Sequence, residues 1–217
     1  MKNLFKAIFS QDDKPETRRL THPRELTTGD IIKFQYLPQN ELSNKQFEIS
    51  NINTYDFEDR KLTEFVLRGD TPEMIYLTVD ETGDEAFLSV SRKISRADVE
   101  QLFDLDEFAE LFDSEDHTQL NRQNEPEHLK SWTTAHYQQE IYAEVGYFHK
   151  GDFRASGVPE DEDAGDEFEY YLAIDSTRTF VIEAEVYDGG ETDVIVTIRR
   201  PITDIEEMWP GSPPIAN

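Results

Sequence analysis

The chain has no cysteine among its 217 residues, which excludes disulfides, thiolate metal sites and cysteine nucleophiles together. That absence suits a reducing compartment, so a cytoplasmic location is expected. Long apolar runs are also missing. No segment approaches the roughly 20 consecutive apolar residues of a membrane span. The apolar stretch nearest the start, LFKAIF, is interrupted by Lys6 and lacks the continuous run of a signal peptide. Basic residues are scarce: 21 Lys and Arg stand against 47 Asp and Glu, a net charge of −26. Phosphate contacts need Lys or Arg to replace counterions, so direct nucleic-acid binding is disfavoured.

The familiar motifs of catalysis are absent as well. There is no Gly-x-Ser-x-Gly elbow, no Walker loop and no dinucleotide glycine fingerprint. His22, His117, His128, His136 and His149 are scattered without a His-Glu-x-x-His pair or a converging ligand set. No cofactor, metal site or catalytic residue is therefore nominated. The acids in VPEDEDAGDEFEYYLAID, residues 158–175, fail the EF-hand pattern in both registers: counting from Asp161 puts Gly165 at position 5, and counting from Glu160 puts Tyr171 at position 12. Residues 160–167 read instead as a solvated loop feeding a strand, with cation binding through charge density as the alternative.

What the chain does contain is enough to fold. Aromatic residues make up 12%, more than a disordered acidic chain carries. DIIKFQYL, KQFEISNINTY, KLTEFVL, MIYLTVD and EAFLSVSRKI are short segments rich in β-branched and aromatic residues, separated by turn-like QNELSN, YDFED, RGDTPE and ETGD. They predict an antiparallel meander. Alternation in FLSVS sets Leu88 and Val90 on the buried side, opposite Phe87 and Ser89. Ser95 followed by Asp98 marks a helix start over RADVEQLFDLDEFAELF, with a break near residues 104–106. SWTTAHYQQEIYAEVGYFH, EFEYYLAID, TFVIEAEVYD and TDVIVTIRR predict strands in the second half, and PITDIEEMW a short acidic helix.

The fold expected is mainly β, α+β with minor helix: two similar antiparallel meander or barrel-like halves, each ending in a short acidic helix. Residues 25–113 form the first and 131–217 the second, with a polar linker at 114–130. EFVLRGD at 64–70 echoes EYYLAID at 169–175, which suggests an internal repeat. Residues 1–24 form an arm and tether, with six Lys or Arg against three acids. Met1, Leu4, Phe5, Ile8 and Phe9 follow helical spacing, with Lys2 and Lys6 on other faces. A helix that short is marginal alone and orders on finding a surface.

LTTGDIIKF, KQFEISNINTY, TEFVL and YLTVDE together resemble a bacterial family, domain of unknown function 4178, over about residues 26–94. Gly29 and Asp30 match its strand-opening Gly-Asp, Glu64 to Leu67 its Glu-aromatic-x-Leu strand, and Tyr76 to Asp80 the apolar strand that follows. Leu62 and Thr63 stand where that family often has a tryptophan. The resemblance implies a compact β fold in a bacterial cytoplasmic protein, sometimes with membrane-stress or envelope-related gene neighbours. It implies no catalytic residue.

These features point to a non-enzymatic accessory or adaptor protein with a protein partner. Lys2, Leu4, Phe5, Lys6, Ile8 and Phe9 of the arm would enter a groove or touch a membrane surface. Asp104, Asp106, Glu107 and Glu110 belong to an acidic helical face that would meet a basic partner; its plainer reading is the wet side of a helix packed on a sheet. A homo-oligomer, with the arm swapped onto a neighbour, is the other use of the same segment. The alternatives are an acidic nucleic-acid mimic that inhibits a DNA-binding protein, and an enzyme with a carboxylate-based site.

Overall fold

The computed structural model describes residues 18–82, 85–113, 118–159 and 165–211. The amphipathic helix expected at Lys2, Leu4, Phe5, Lys6, Ile8 and Phe9 lies outside them, as do residues 160–164 of the acidic loop. The first half supplies β1 (Ile31–Phe34), β2 (Gln46–Phe57), β3 (Lys61–Arg68), β4 (Met74–Thr82) and β5 (Glu85–Ile94), then α1 (Arg96–Leu102) and α2 (Leu105–Asp113). A short β6 (Gln119–Asn121) leads to β7 (His136–Lys150), β8 (Asp166–Ile174), β9 (Phe180–Tyr187), β10 (Thr192–Pro201) and β11 (Ile205–Trp209). The mainly β expectation holds.

The two meanders, β2–β5 and β7–β10, share one barrel. β5 pairs antiparallel with β10 from Phe87↔Pro201 to Ile94↔Val194, and β2 pairs antiparallel with β7 from Asn53↔Lys150 to Phe57↔Gly146. Each meander thus covers both edges of the other, which removes the exposed edges an open sheet would leave. β1 and β11 extend the sheet beside the first half of β2, and β6 extends it beside β7. Strand for strand, β3 and β8 hold equivalent places. The residue match between them does not carry over: Glu64 is buried, whereas Glu169 is exposed on the opposite parity of its strand.

Three further expectations are corrected or sharpened. PITDIEEMW is not a helix. Its Ile202–Asp204 makes a single 3-10 turn and Ile205–Trp209 becomes β11, paired with β1 from Ile31↔Trp209 onward. The open edge of β1 offers ladder hydrogen bonds that outweigh the weak helix preference of a segment beginning at Pro201. Nor is the linker free of structure: residues 119–121 form β6, and Leu120 and Leu129 are fully buried. The boundary also separates no cores, because the larger apolar cluster joins Phe34, Phe65 and Leu88 of the first half to Trp132, Val196 and Ile198 of the second.

Local signals explain the helices. Ser95 accepts a hydrogen bond from the Asp98 backbone N–H while the Asp98 carboxylate accepts from the Ser95 N–H, a full capping box. The break falls at 103–104, and Asp104 Oδ1 restarts the chain by accepting from the N–H groups of Asp106 (2.9 Å) and Glu107 (3.2 Å). Val99, Leu102, Phe108 and Leu111 are buried against the outer face of the barrel. A polar knot ties the covering loops on: Glu41 accepts from Trp132 Nε1 at 2.6 Å and from Arg92 Nη1 at 2.9 Å, and that guanidinium also donates to the His128 carbonyl. Among the described residues no helix is long and apolar enough to cross a membrane.

Gly146 of β7 marks where the barrel closes. It stands opposite Phe57 on β2 and Phe168 on β8, whose rings meet edge to face at 5.8 Å. A Cβ there would lie 2.7 Å from the Phe168 ring and 2.8 Å from the Phe57 ring. Gly146→Ala should therefore destabilise the fold by about 1–3 kcal/mol through overpacking, and Phe57→Leu in the same chain should return part of it. Urea unfolding checks both; an unchanged midpoint for Gly146→Ala would contradict this packing.

Candidate functional site

Strand alternation gives the barrel two faces, and contacts across it identify the inner one. Tyr55 on β2 and Glu185 on β9 line one cavity and, with burial, the Glu185 charge helps raise the Tyr55 pKa, although β7 and β8 stand between those strands in the sheet. Side chains on a convex outer surface diverge and cannot make that reach. The inner face therefore carries Tyr55, Glu64, Tyr76, Thr78, Asp80, Phe87, Ser89, Ser91, Lys93, Tyr170, Glu183, Glu185, Thr197 and Arg199, which line a cavity of about 650 Å3. Barrels of eight strands are commonly filled by side chains or hold one small ligand. Here Tyr55, Phe57, Phe168, Leu172 and Val181 fill one part, and polar groups surround the space that remains.

Three glutamates dominate that space. Glu64 accepts from Asn53 Nδ2 at 2.8 Å, its partner across the β2–β3 ladder. Glu185 accepts from Tyr187 Oη at 2.7 Å. Glu183 accepts from Tyr170 Oη at 2.5 Å and from Thr197 Oγ1, and Thr197 in turn meets Ser91 at 2.7 Å. Desolvation raises the pKa of all three, and for Glu64 it overcomes the Asn53 hydrogen bond and brings the value to about 7. The carboxylates also repel one another: the charges of Glu185 and Glu183 raise the pKa of Glu64, and that of Glu183 raises Glu185.

Two cations share the interior. Lys93 is partnered by Asp193, and although burial works against its charge that hydrogen bond holds its pKa above the usual lysine value. Arg199 lies with its guanidinium carbon 5.2 Å from the Phe87 ring centroid, and its Nε is sealed from solvent without a hydrogen-bond partner. The other bases at the cavity margin are engaged. Arg60 grips Glu144 through two hydrogen bonds of 2.6 and 2.7 Å, and Lys61 pairs with Asp56 at 3.1 Å.

The wall has an opening. β3 and β4 pair only from Phe65↔Leu77 to Arg68↔Met74, whereas β3 continues beside β2 to Lys61 and β4 beside β5 beyond Asp80. The two strands part, and Thr63 and Val79, which alternation turns outward, join the cavity lining there together with Arg24 and Arg154. Arg24 Nη2 donates to the Val79 carbonyl at 3.2 Å in place of a ladder partner. Arg154 holds this strap in turn, donating to the carbonyls of Arg24 (2.5 Å) and Leu26 (2.8 Å) while pairing with Asp152. The segment that follows the arm thus crosses the mouth of the cavity.

The residues nominated from sequence lie elsewhere. Asp104, Asp106 and Glu110 are exposed on α2, Asp104 serving as its cap. Glu107 Oε1 accepts from the N–H (2.5 Å) and Nδ2 (2.8 Å) of Asn121, fastening α2 to β6. Gly165 of the acidic loop has a packing reason: a Cβ there would lie 2.6 Å from the His149 ring. Sequence reasoning missed Glu64, Glu183 and Glu185. Their signal was the alternation Leu62-Glu64-Val66 and Val181-Glu183-Glu185-Tyr187, ionisable groups on strands whose other face is apolar as well. Among the described residues no group of three or more His, Asp or Glu is spaced to hold a metal ion. Comparison with protein-family models, curated proteins and solved structures found no match to this chain.

Glu64 makes stability depend on pH in a definite direction. Between its unfolded value near 4.5 and its folded value of about 7, the folded chain keeps a proton that the unfolded chain has lost, so stability falls as pH rises through that interval. The raised values of Glu183 and Glu185 act in the same sense. Asp98, Asp152 and Asp175, all lowered from 3.8, contribute only on the acid side. Urea melts from pH 5 to 8 should show stability declining, and Glu64→Gln should flatten the decline; an identical slope in the variant would contradict the burial of this carboxyl.

Proposed function

We propose that this chain is a small-molecule-binding barrel, an accessory protein that takes a polar ligand through the β3–β4 opening and holds it among Glu64, Glu183, Glu185 and Arg199. The observation that carries the reading is the 650 Å3 cavity itself. It lies within the size range of ligand sites, roughly 300–1,000 Å3, and combines an apolar end with a few converging polar groups. Burying those groups without use would cost stability, and a bound ligand offsets that cost. The reading keeps the chain in the accessory class and moves recognition from the acidic helix to the barrel interior. We place it in the cytoplasm, where a cysteine-free chain loses nothing to reduction; the basic arm and the α2 face would then serve a protein partner that receives the loaded barrel.

The carboxylate-based enzyme is the second reading, and Glu64 is the observation in its favour. A carboxyl titrating at about 7 is matched to general acid or base work near neutrality.

Native mass spectrometry of the full chain purified from its host cells tests the proposal. A small molecule should accompany the protein, leave on denaturation, and be missing from the cavity-blocking variants Ser91→Phe and Thr78→Phe, with circular dichroism reporting which of them fold. An adduct retained by both folded variants would contradict binding inside the barrel. Recovery of a chemically altered ligand, lost in Glu64→Gln, would move the protein to the enzyme class.

A further inference from the structure

Resting on the cavity-binding reading, we infer that the ligand is a zwitterion with separated charges: a protonated amine received by Glu64, Glu183 and Glu185, and a carboxylate or similar acidic group received by Arg199. The inner face sets four carboxyls, those three and Asp80, against Lys93 and Arg199. Lys93 is partnered by Asp193, and Asp80 accepts from Ser89 at 2.6 Å and Thr78 at 3.3 Å. Glu64 has a single amide donor for two oxygens that accept about four hydrogen bonds between them. An ammonium group brings three donors and a full positive charge to such a site. The tyrosine rings around it favour the same guest, since aromatic faces attract cations, and Lys93 Nζ already stands 5.9 Å from the Tyr76 ring.

The cation is organic rather than a metal ion, because no group of three or more acidic or histidine side chains among the described residues is spaced for a metal. Arg199 supplies the second pole, its charge felt by Glu183. In a chain of net charge −26, this guanidinium lines the cavity. A guanidinium offers a planar fork suited to a carboxylate or phosphate, so one standing on the cavity wall calls for an acid on the ligand.

Register separates the poles. Glu183 stands opposite Ile195 and Glu185 opposite Asp193 on β10, which places Arg199 four and six residues further along that strand. At about 3.3 Å per residue the backbone positions differ by roughly 13 and 20 Å along the strand; side chains that reach inward shorten this, enough for the Arg199 charge to act on Glu183, and Glu185 stands further off. A chain with a charge at each end fits that separation; an α-amino acid, whose two charges adjoin, does not.

Isothermal calorimetry of the full chain in 150 mM salt, where surface attraction is screened, tests this with four probes of matched length: 6-aminohexanoate, 1,6-diaminohexane, hexanedioate and 1,6-hexanediol. The expected result is one saturable site for 6-aminohexanoate, with each of the other three at least tenfold weaker. Glu183→Gln and Glu185→Gln, either of which serves if the other fails to fold, should cost the amino acid at least tenfold while leaving hexanedioate unchanged. Arg199→Gln should make the amino acid and the diamine equal. Asp104→Asn with Asp106→Asn on α2 should change nothing.

Tightest binding by hexanedioate would overturn the cationic pole, and diamine binding as tight as that of the amino acid to the unaltered chain would overturn the acidic one. Loss of binding in the α2 variant would assign it to the surface and overturn both. If no probe binds while the protein from cells carries a small molecule, the charge assignment fails and the cavity reading stands; if it carries none, both fail.

Discussion

Everything else in this structure depends on the pairing of two strands with two others: β5 with β10 and β2 with β7. Each meander alone would be an open sheet with two unsatisfied edges. Joined at both, they have no free edge within the barrel, and one face of every strand is turned inward. Only that closure lets Glu64, Glu183 and Glu185, which come from opposite halves of the chain, share one enclosed space. On open sheets the same residues would be solvated carboxylates with ordinary titration.

The packing outside the barrel follows from the same constraint. Because the inner face is partly polar, the larger apolar cluster has to form on the outer face, where α1, α2 and the loops carrying Leu42, Leu129 and Trp132 cover it. The usual order of a globular β protein is thereby reversed. The helices act as the lid of a core that lies between themselves and the barrel wall, and the barrel interior is left to hydrogen bonds, aromatic rings and charge. At the gap between β3 and β4 the ladder stops short of the ends of both strands, and the strap of Arg24 and Arg154 lies across it.

Much of this was legible in the sequence because it is local. Period-two alternation located the barrel strands, Ser95 and Asp98 announced α1, and the buried side of Leu88 and Val90 was read correctly. What was not legible is nonlocal. Nothing in PITDIEEMW says that β1 will need a partner, and nothing in residues 114–130 says that Leu120 and Leu129 will find a core. The glutamates were hidden by abundance: among 47 acids, three that sit between apolar neighbours look like solvent-facing residues until both faces of a strand are known to be covered. The echo of EFVLRGD in EYYLAID marks equivalent strands but sets its two glutamates on opposite faces, which sequence similarity cannot reveal.

Closure can be tested directly because the chain has no cysteine to interfere. Asp56 and Tyr147 face each other across the β2–β7 seam, and a chain carrying Asp56→Cys with Tyr147→Cys joins the two halves at that point alone. Mild oxidation of the dilute protein, read as intact and trypsin-cleaved mass, should give one disulfide within a single chain and a fold that melts no lower than its reduced form. A chain that stays reduced under those conditions, or that links only to a second copy, would contradict the closed barrel and with it the cavity.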